Sequence, residues 1–186
     1  MKLSLPAVMA FVAAFASAQQ APPPPNSSTA SVAWGPSVNG LRLGAAFGAD
    51  PAKPTLRVVF QNVGSAVQDV LIGAESGRGQ MYDMKFIATA PDGKEREGLH
   101  ISAFWPIGGF VGPVSVRLNA GERHELQFPL KDIIYTSPTT VRLDALVKQG
   151  YSVRVRFEVQ QASADWAKLS YPWTGVVTSG EVSPAR

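Results

Sequence analysis

The chain is predicted to be all-β, an antiparallel sandwich of two sheets built from seven to nine short strands, on three observations. First, Leu56, Val58 and Phe60 alternate with Arg57, Val59 and Gln61, and the run ends in Asn62-Val-Gly64-Ser65, a turn sequence. Second, Tyr151 to Val159 repeats the period more clearly. Val153, Val155, Phe157 and Val159 fall on one side and Arg154, Arg156 and Glu158 on the other, as in a sheet with one wet face. Third, no helical run is long enough to supply the crossovers of a parallel sheet.

Residues 1–18 read as a signal peptide. Lys2 precedes an apolar run, Leu3 to Phe15, that is too short for a stable membrane span, and Ala16-Ser17-Ala18 offers the small residues a signal peptidase requires. Cleavage is expected before Gln19, which makes the mature chain secreted or periplasmic, with no membrane span after processing. Residues 19–32, QQAPPPPNSSTASV, are expected to form a disordered Pro/Ser-rich linker: the prolines favour extended polyproline conformation and the remainder has little to bury. The folded domain is then 33–186. The sequence contains no cysteine, so it has no disulfide and no thiolate metal site, and its stability rests on an apolar core. Seventeen basic residues face 14 acidic ones, a net charge of +3, and the bases are scattered. Nucleic-acid binding, which calls for a basic stripe with interleaved aromatics, is not expected.

The folded part opens near Trp34. Val38-Asn39-Gly40-Leu41 predicts a tight turn, with Leu41, Leu43 and Phe47 inward after it, and Asp50-Pro-Ala-Lys-Pro54 predicts a connection into the Leu56 strand. Val67 to Ile72 is expected as the next strand, ended by the glycine-rich stretch Gly73 to Gly79. Tyr82 to Ala90 alternates again, with Tyr82, Met84, Phe86 and Ala88 on one side, and Pro91-Asp92-Gly93 predicts a hairpin. Val114, Val116 and Leu118 mark a further strand, Asn119-Ala-Gly121-Glu122 a turn, and Leu126, Phe128 and Leu130 the next inward face. A helical turn is expected over Lys131 to Tyr135, a strand over Val141 to Val147, a short helix over Ser163 to Leu169 and a closing strand over Trp173 to Val182.

Gly79-Gln-Met-Tyr82-Asp83-Met84, continuing to Asp92-Gly93-Lys94-Glu95, with Leu56 to Gly64 before it and Leu118-Asn-Ala-Gly121-Glu122 after it, resembles the immunoglobulin-like sandwich of BsuPI-type proteinase-inhibitor domains. Trp34-Gly35, Val38 to Gly44 and Trp173-Thr-Gly175 are similar to uncharacterised exported bacterial immunoglobulin-like proteins. These motifs are turns and core positions, so the resemblance implies a fold. The inhibitor pattern carries a tryptophan soon after the Asp-Gly hairpin, where this chain has Gly98-Leu-His-Ile101, with Trp105 following inside an insert. No inhibitory residue is carried over.

The two histidines, His100 and His124, lack metal-ligand spacing, and His124 beside a turn is expected to be solvated. Glu95/Glu97 and Glu122/Glu125 are expected as surface charge, since spacing alone does not separate the pKa values of an acid and a base. Ser170 and Ser179 have no nucleophile-elbow pattern, and Gly73 to Gly79 lacks the lysine of a phosphate loop. No catalytic residue, metal or cofactor is therefore expected. Gly98 to Pro113 stands out as an apolar insert, and Phe104, Trp105, Ile107 and Phe110 are the candidate partner-binding residues, because aromatics on a loop bury large areas at small entropic cost. The alternative is that the insert covers the end of the core. The expected function is an exported, non-enzymatic interaction or structural module for a protein partner. A proteinase inhibitor or regulator of a secreted enzyme is the second reading. The third is a carbohydrate-binding module stacking glycan on Trp105, Trp166, Tyr171 or Trp173.

Overall fold

A computed structural model describes residues 31–76, 79–100, 112–136, 138–160 and 172–184. Its strands are β1 (Ala33–Trp34), β2 (Leu41–Phe47), β3 (Thr55–Asn62), β4 (Gln68–Ser76), β5 (Gly79–Tyr82), β6 (Met84–Thr89) and β7 (Glu95–His100). They continue with β8 (Gly112–Leu118), β9 (Arg123–Pro129), β10 (Ile133–Tyr135), β11 (Val141–Arg142), β12 (Ser152–Val159) and β13 (Gly175–Thr178). One short helix, α1 (Leu143–Lys148), and a 3-10 turn, Leu130–Asp132, complete the described elements. The fold is all-β. Three antiparallel sheets form, in the orders β1-β2-β3-β9, β11-β10-β7-β6-β12-β13 and β5-β4-β8.

The first two sheets face each other across one core. Phe60 of β3 meets Phe157 of β12 edge-on at 5.1 Å, and Phe128 of β9 meets Phe86 of β6 at 5.3 Å. The third sheet adds Val70, Ile72 and Leu118. Leu56, Val58 and Phe60 on β3 and Val153, Val155 and Phe157 on β12 are completely buried, as their alternation requires. Each such side chain stabilises the fold by about 1.5–3 kcal/mol through area removed from water.

Turn chemistry fixes the connections. Asn39 and Gly40 both take positive φ, +48° and +79°, the geometry of a two-residue hairpin turn that matches strand twist. Val38 and Leu41 close it with a pair of backbone bonds of 2.8 and 3.0 Å. At the far end of β3, Asn62 is fully buried and spends its whole side chain on backbone. Its amide nitrogen donates to the Ala66 carbonyl at 2.7 Å and the Leu118 carbonyl at 3.0 Å, and its Oδ1 accepts from Gly64 N–H at 2.9 Å. One residue thereby joins β3 to the loop entering β4 and to the end of β8.

β1 belongs to both facing layers. It is registered on β2 through Ala33–Ala45 and Trp34–Gly44, and the Ala33 carbonyl accepts from Gly180 N–H beyond β13 at 3.0 Å. Gly35 approaches the Thr178 carbonyl so closely that a Cβ there would lie 1.7 Å from its oxygen. No other residue fits this junction unless the backbone moves.

Several expectations are corrected. Tyr82 to Ala90 is two strands in two sheets: β5 ends at Tyr82, Asp83 N–H donates to the Ile72 carbonyl, and β6 begins at Met84. Tyr82 packs on the same core as the buried Met84, Phe86 and Ala88. Alternation reports which face is apolar and is blind to the sheet in which the strand is bonded. β4 does not end at Ile72 but runs through Gly73 to Ser76, and its register against β8 shifts between Leu71 and Gly73. An irregularity of this kind accommodates glycine without ending the strand. Val141 to Val147 is strand only over Val141–Arg142 and then helix, because the buried Leu143 and Leu146 are three apart and share one face of a helical turn. The helical turn placed at Lys131 to Tyr135 is instead Leu130–Asp132, followed by β10. Counting short strands gives more than the seven to nine expected. The Ser163 to Leu169 helix lies outside the described residues.

Tyr135 is completely buried, and its hydroxyl has no hydrogen-bond partner among the described residues. Burial pushes the phenol above its ordinary pKa. A buried hydroxyl without a partner costs about 1–3 kcal/mol. Tyr135→Phe is therefore expected to leave stability unchanged or raise it by up to about 1 kcal/mol in urea melts. A clear loss would show that the hydroxyl is bonded in solution.

Candidate functional site

The outward side of the four-stranded sheet carries the most distinctive grouping of side chains among the described residues. Register sets it up. Arg42 of β2 is paired with Gln61 of β3, and Gln61 with Arg123 of β9, so two arginines flank one amide in a single cross-strand row. In the adjoining row Trp34 of β1 stands opposite Gly44 of β2. A Cβ on Gly44 would lie 2.7 Å from Trp34 Cε3 and 2.4 Å from Val32 Cγ1, so the missing side chain is what lets the indole settle onto the sheet. Gly44 is paired with Val59, which is buried at 4% exposure although it points outward.

Two guanidinium groups meet that indole. Arg42 lies 4.3 Å from the ring centroid and Arg123 5.4 Å, both within cation–π range. Arg42 is further held by Gln61, whose Oε1 accepts from Nε at 3.0 Å and from Nη2 at 2.6 Å. The Arg123 side chain is exposed and forms no hydrogen bond or ion pair among the described residues. The nearby acids are committed elsewhere. Glu125 pairs with Arg57 through two hydrogen bonds of 2.9 and 2.6 Å, and Glu122 accepts from the backbone and side chain of Asn119. The bond to Arg57 holds the Glu125 carboxyl below its ordinary pKa, and the same bond raises that of Arg57. The face therefore carries three arginines against one glutamate.

The outward side of the six-stranded sheet is the opposite case. Lys85 pairs with Glu97 at 2.8 Å, Arg154 with Glu95, and Arg156 with Glu158 at 2.8 Å, so the three bases of β6 and β12 each have an acid, and Arg142 on the edge strand β11 is the one base of this face without one among the described residues. Exposed pairs of this sort contribute little to stability and leave the centre of the face without net charge.

Of the sequence-predicted site residues, Phe104, Trp105, Ile107 and Phe110 lie outside the described residues, as do Ser170, Trp166 and Tyr171. The insert is bracketed by β7, ending at His100, and β8, starting at Gly112. His100 packs against Tyr82 and Phe128 with ring centroids 6.2 and 5.1 Å away. Burial lowers its pKa, partly offset by Asp132. His124 is not the solvated turn residue expected: it is half-buried on the inward side of β9, paired with Phe60, and burial lowers its pKa also. Trp173 is no stacking platform, being buried against Phe157 at 5.7 Å with its Nε1–H donated to the Val38 carbonyl. Ser179 is also structural, accepting from Val155 N–H and donating to the Gly180 carbonyl. Among the described residues no cluster of three or more His, Asp or Glu side chains converges as a metal site would require, and no helix is long and apolar enough to cross a membrane.

The Trp34 grouping was missed by sequence reading, in which Trp34 marked where folding starts and, with Gly35, a fold motif. One signal was present: Gly44 in the middle of a strand, a position that commonly marks a close approach. Comparison with family models, curated proteins and solved structures returns no match.

Proposed function

We propose that this chain is an exported, non-enzymatic binding module with an immunoglobulin-like sandwich architecture, acting on a protein partner in the cell envelope or the surrounding medium. Export is motivated by the Lys2 to Ala18 leader pattern, and the architecture by two facing antiparallel sheets. The observation that supports binding most directly is the Trp34, Arg42 and Arg123 cluster. It is an aromatic and cationic surface fixed on a rigid sheet, so little side-chain entropy remains to be lost when a partner docks. Tryptophan and arginine are also the residues that most often dominate interface energetics.

The test uses the full exported chain as bait against envelope and medium fractions of the producing cell. Trp34→Ser is expected to abolish recovery of the partner held by the native chain, while the urea midpoint moves little, because the Trp34 side chain lies on the outward side of the sheet and outside the buried core. Equal recovery by both forms would reject this face as the interface. Recovery of no protein by the native chain would reject the binding reading itself.

A further inference from the structure

We infer that the Trp34 face is a docking site for an acidic segment of polypeptide, carboxylates of which engage Arg42 and Arg123. The inference rests on the binding reading above and names the partner's chemistry. Its first support is charge. Three arginines and one glutamate occupy this face, Glu125 is bonded to Arg57, and neither Arg42 nor Arg123 has a carboxylate within ion-pair distance among the described residues. On the other large sheet face the bases of the adjacent strands β6 and β12 are all paired, and the one unpaired base, Arg142, stands alone on an edge strand with no second arginine or aromatic ring beside it among the described residues.

Geometry then selects the type of anion. The indole is occupied by guanidinium groups, which removes it as a stacking platform for a sugar ring. What the cluster presents is the N–H edge of each guanidinium, a planar fork that matches a carboxylate with two parallel hydrogen bonds. Gln61 takes one N–H each from Nε and Nη2 of Arg42, leaving both N–H groups of Nη1 and the second of Nη2 for a ligand. Arg123 has its whole fork available.

The adjoining row decides the source of the carboxylates. Glu125 is paired across from Val59, one row from Arg123 and Gln61. A uniformly anionic polysaccharide laid over the sheet would be driven against Glu125. A polypeptide places its acids only where the arginines are, with neutral or basic residues beyond them, and so satisfies both rows.

The experiment is an NMR titration of the full exported chain, following the indole N–H signal of Trp34 as assigned with Trp34→Phe. The probes are a neutral serine-glycine peptide bearing a cluster of glutamates, its glutamine counterpart, and polygalacturonate. The glutamate peptide is expected to shift the signal saturably, the glutamine peptide not at all, and added salt to weaken the effect, since exposed charges are screened within about 8 Å at physiological ionic strength. Arg123→Gln is expected to weaken binding about tenfold, with Arg154→Gln on the other face leaving it unchanged. Arg123 is exposed at the end of an edge strand, so this variant is expected to fold, and its melt is recorded alongside. Arg42→Lys, which keeps charge but loses the fork, serves as the second variant. No shift with the glutamate peptide, an equal shift with the glutamine peptide, stronger binding of polygalacturonate, or an unchanged affinity in Arg123→Gln would each overturn the inference. Any of these alongside a pull-down that still depends on Trp34 removes the acidic partner and leaves the binding module standing.

Discussion

Asn62→Asp is expected to destabilise the fold by about 3 kcal/mol or more, close to the loss from Asn62→Ala, although the new side chain has nearly the same volume. The native amide donates to Ala66 and Leu118 carbonyls and accepts from Gly64 N–H in a fully buried position. Aspartate keeps the acceptor but replaces the one nitrogen that makes both donations with an oxygen that faces two carbonyl oxygens. Each buried group left unsatisfied costs about 1–3 kcal/mol, and a carboxylate forced to protonate adds to that. Alanine removes all three bonds without adding repulsion. A midpoint drop of about 6–12 °C is the scale to look for in a thermal melt of a chain this size. Native stability in the aspartate variant would show that the site is held by packing, with the bonds incidental.

The second large effect is expected on β12, which is bonded on both sides, to β6 and to β13, in the six-stranded sheet. Val155 is completely buried opposite Phe86. Val155→Asp puts an unpaired carboxylate into that core, which is expected to unfold the domain or cost more than about 4 kcal/mol. The neighbouring Arg154 faces outward and pairs with Glu95 at the surface. Arg154→Ala is expected to cost less than about 1 kcal/mol, the usual yield of an exposed ion pair. Urea melts of the two variants decide it. Similar losses would place both side chains in one environment and overturn the alternation on which the fold assignment rests.

The contrast between these two sites shows what a sequence can carry. Val155 and Arg154 were legible because adjacent residues of a strand point to opposite sides, a rule that needs no knowledge of the partners. The turn at Asn39-Gly40 and the one at Asp92-Gly93 were legible because positive φ, taken by Asn39, Gly40 and Gly93, selects those residue types. The role of Asn62 was only half visible: its turn chemistry could be read, but its grip on Leu118 depends on how the third sheet packs. Of the Trp34 grouping only the mid-strand Gly44 gave a sign. Its members come from four strands, and only the pairing of Arg42 with Gln61 and of Gln61 with Arg123 brings them together. The helix over Leu143 to Lys148 was misread for a related reason. A stretch of seven residues with apolar side chains at several spacings satisfies both periods, and packing of Leu143 and Leu146 chose between them.

The close approach of β1 to the segment after β13 has a mechanical consequence. Ala33 lies beside Gly180 and Gly35 beside Thr178, so the two segments run in opposite directions, and Ser31 and Ser183 line a common groove at their outer ends. Tension applied across those ends meets the contacts one after another. This is peeling, in which each bond yields before the next takes up force, and not shear, in which all of them share the load. A domain loaded in this way is poorly suited to transmit a pull along its length. The first strand to lift would be the one bearing Trp34, so force would dismantle the arginine and indole cluster while Phe60 and Phe157 remained in contact. A partner held on that face would then be released under strain by a domain that had not unfolded.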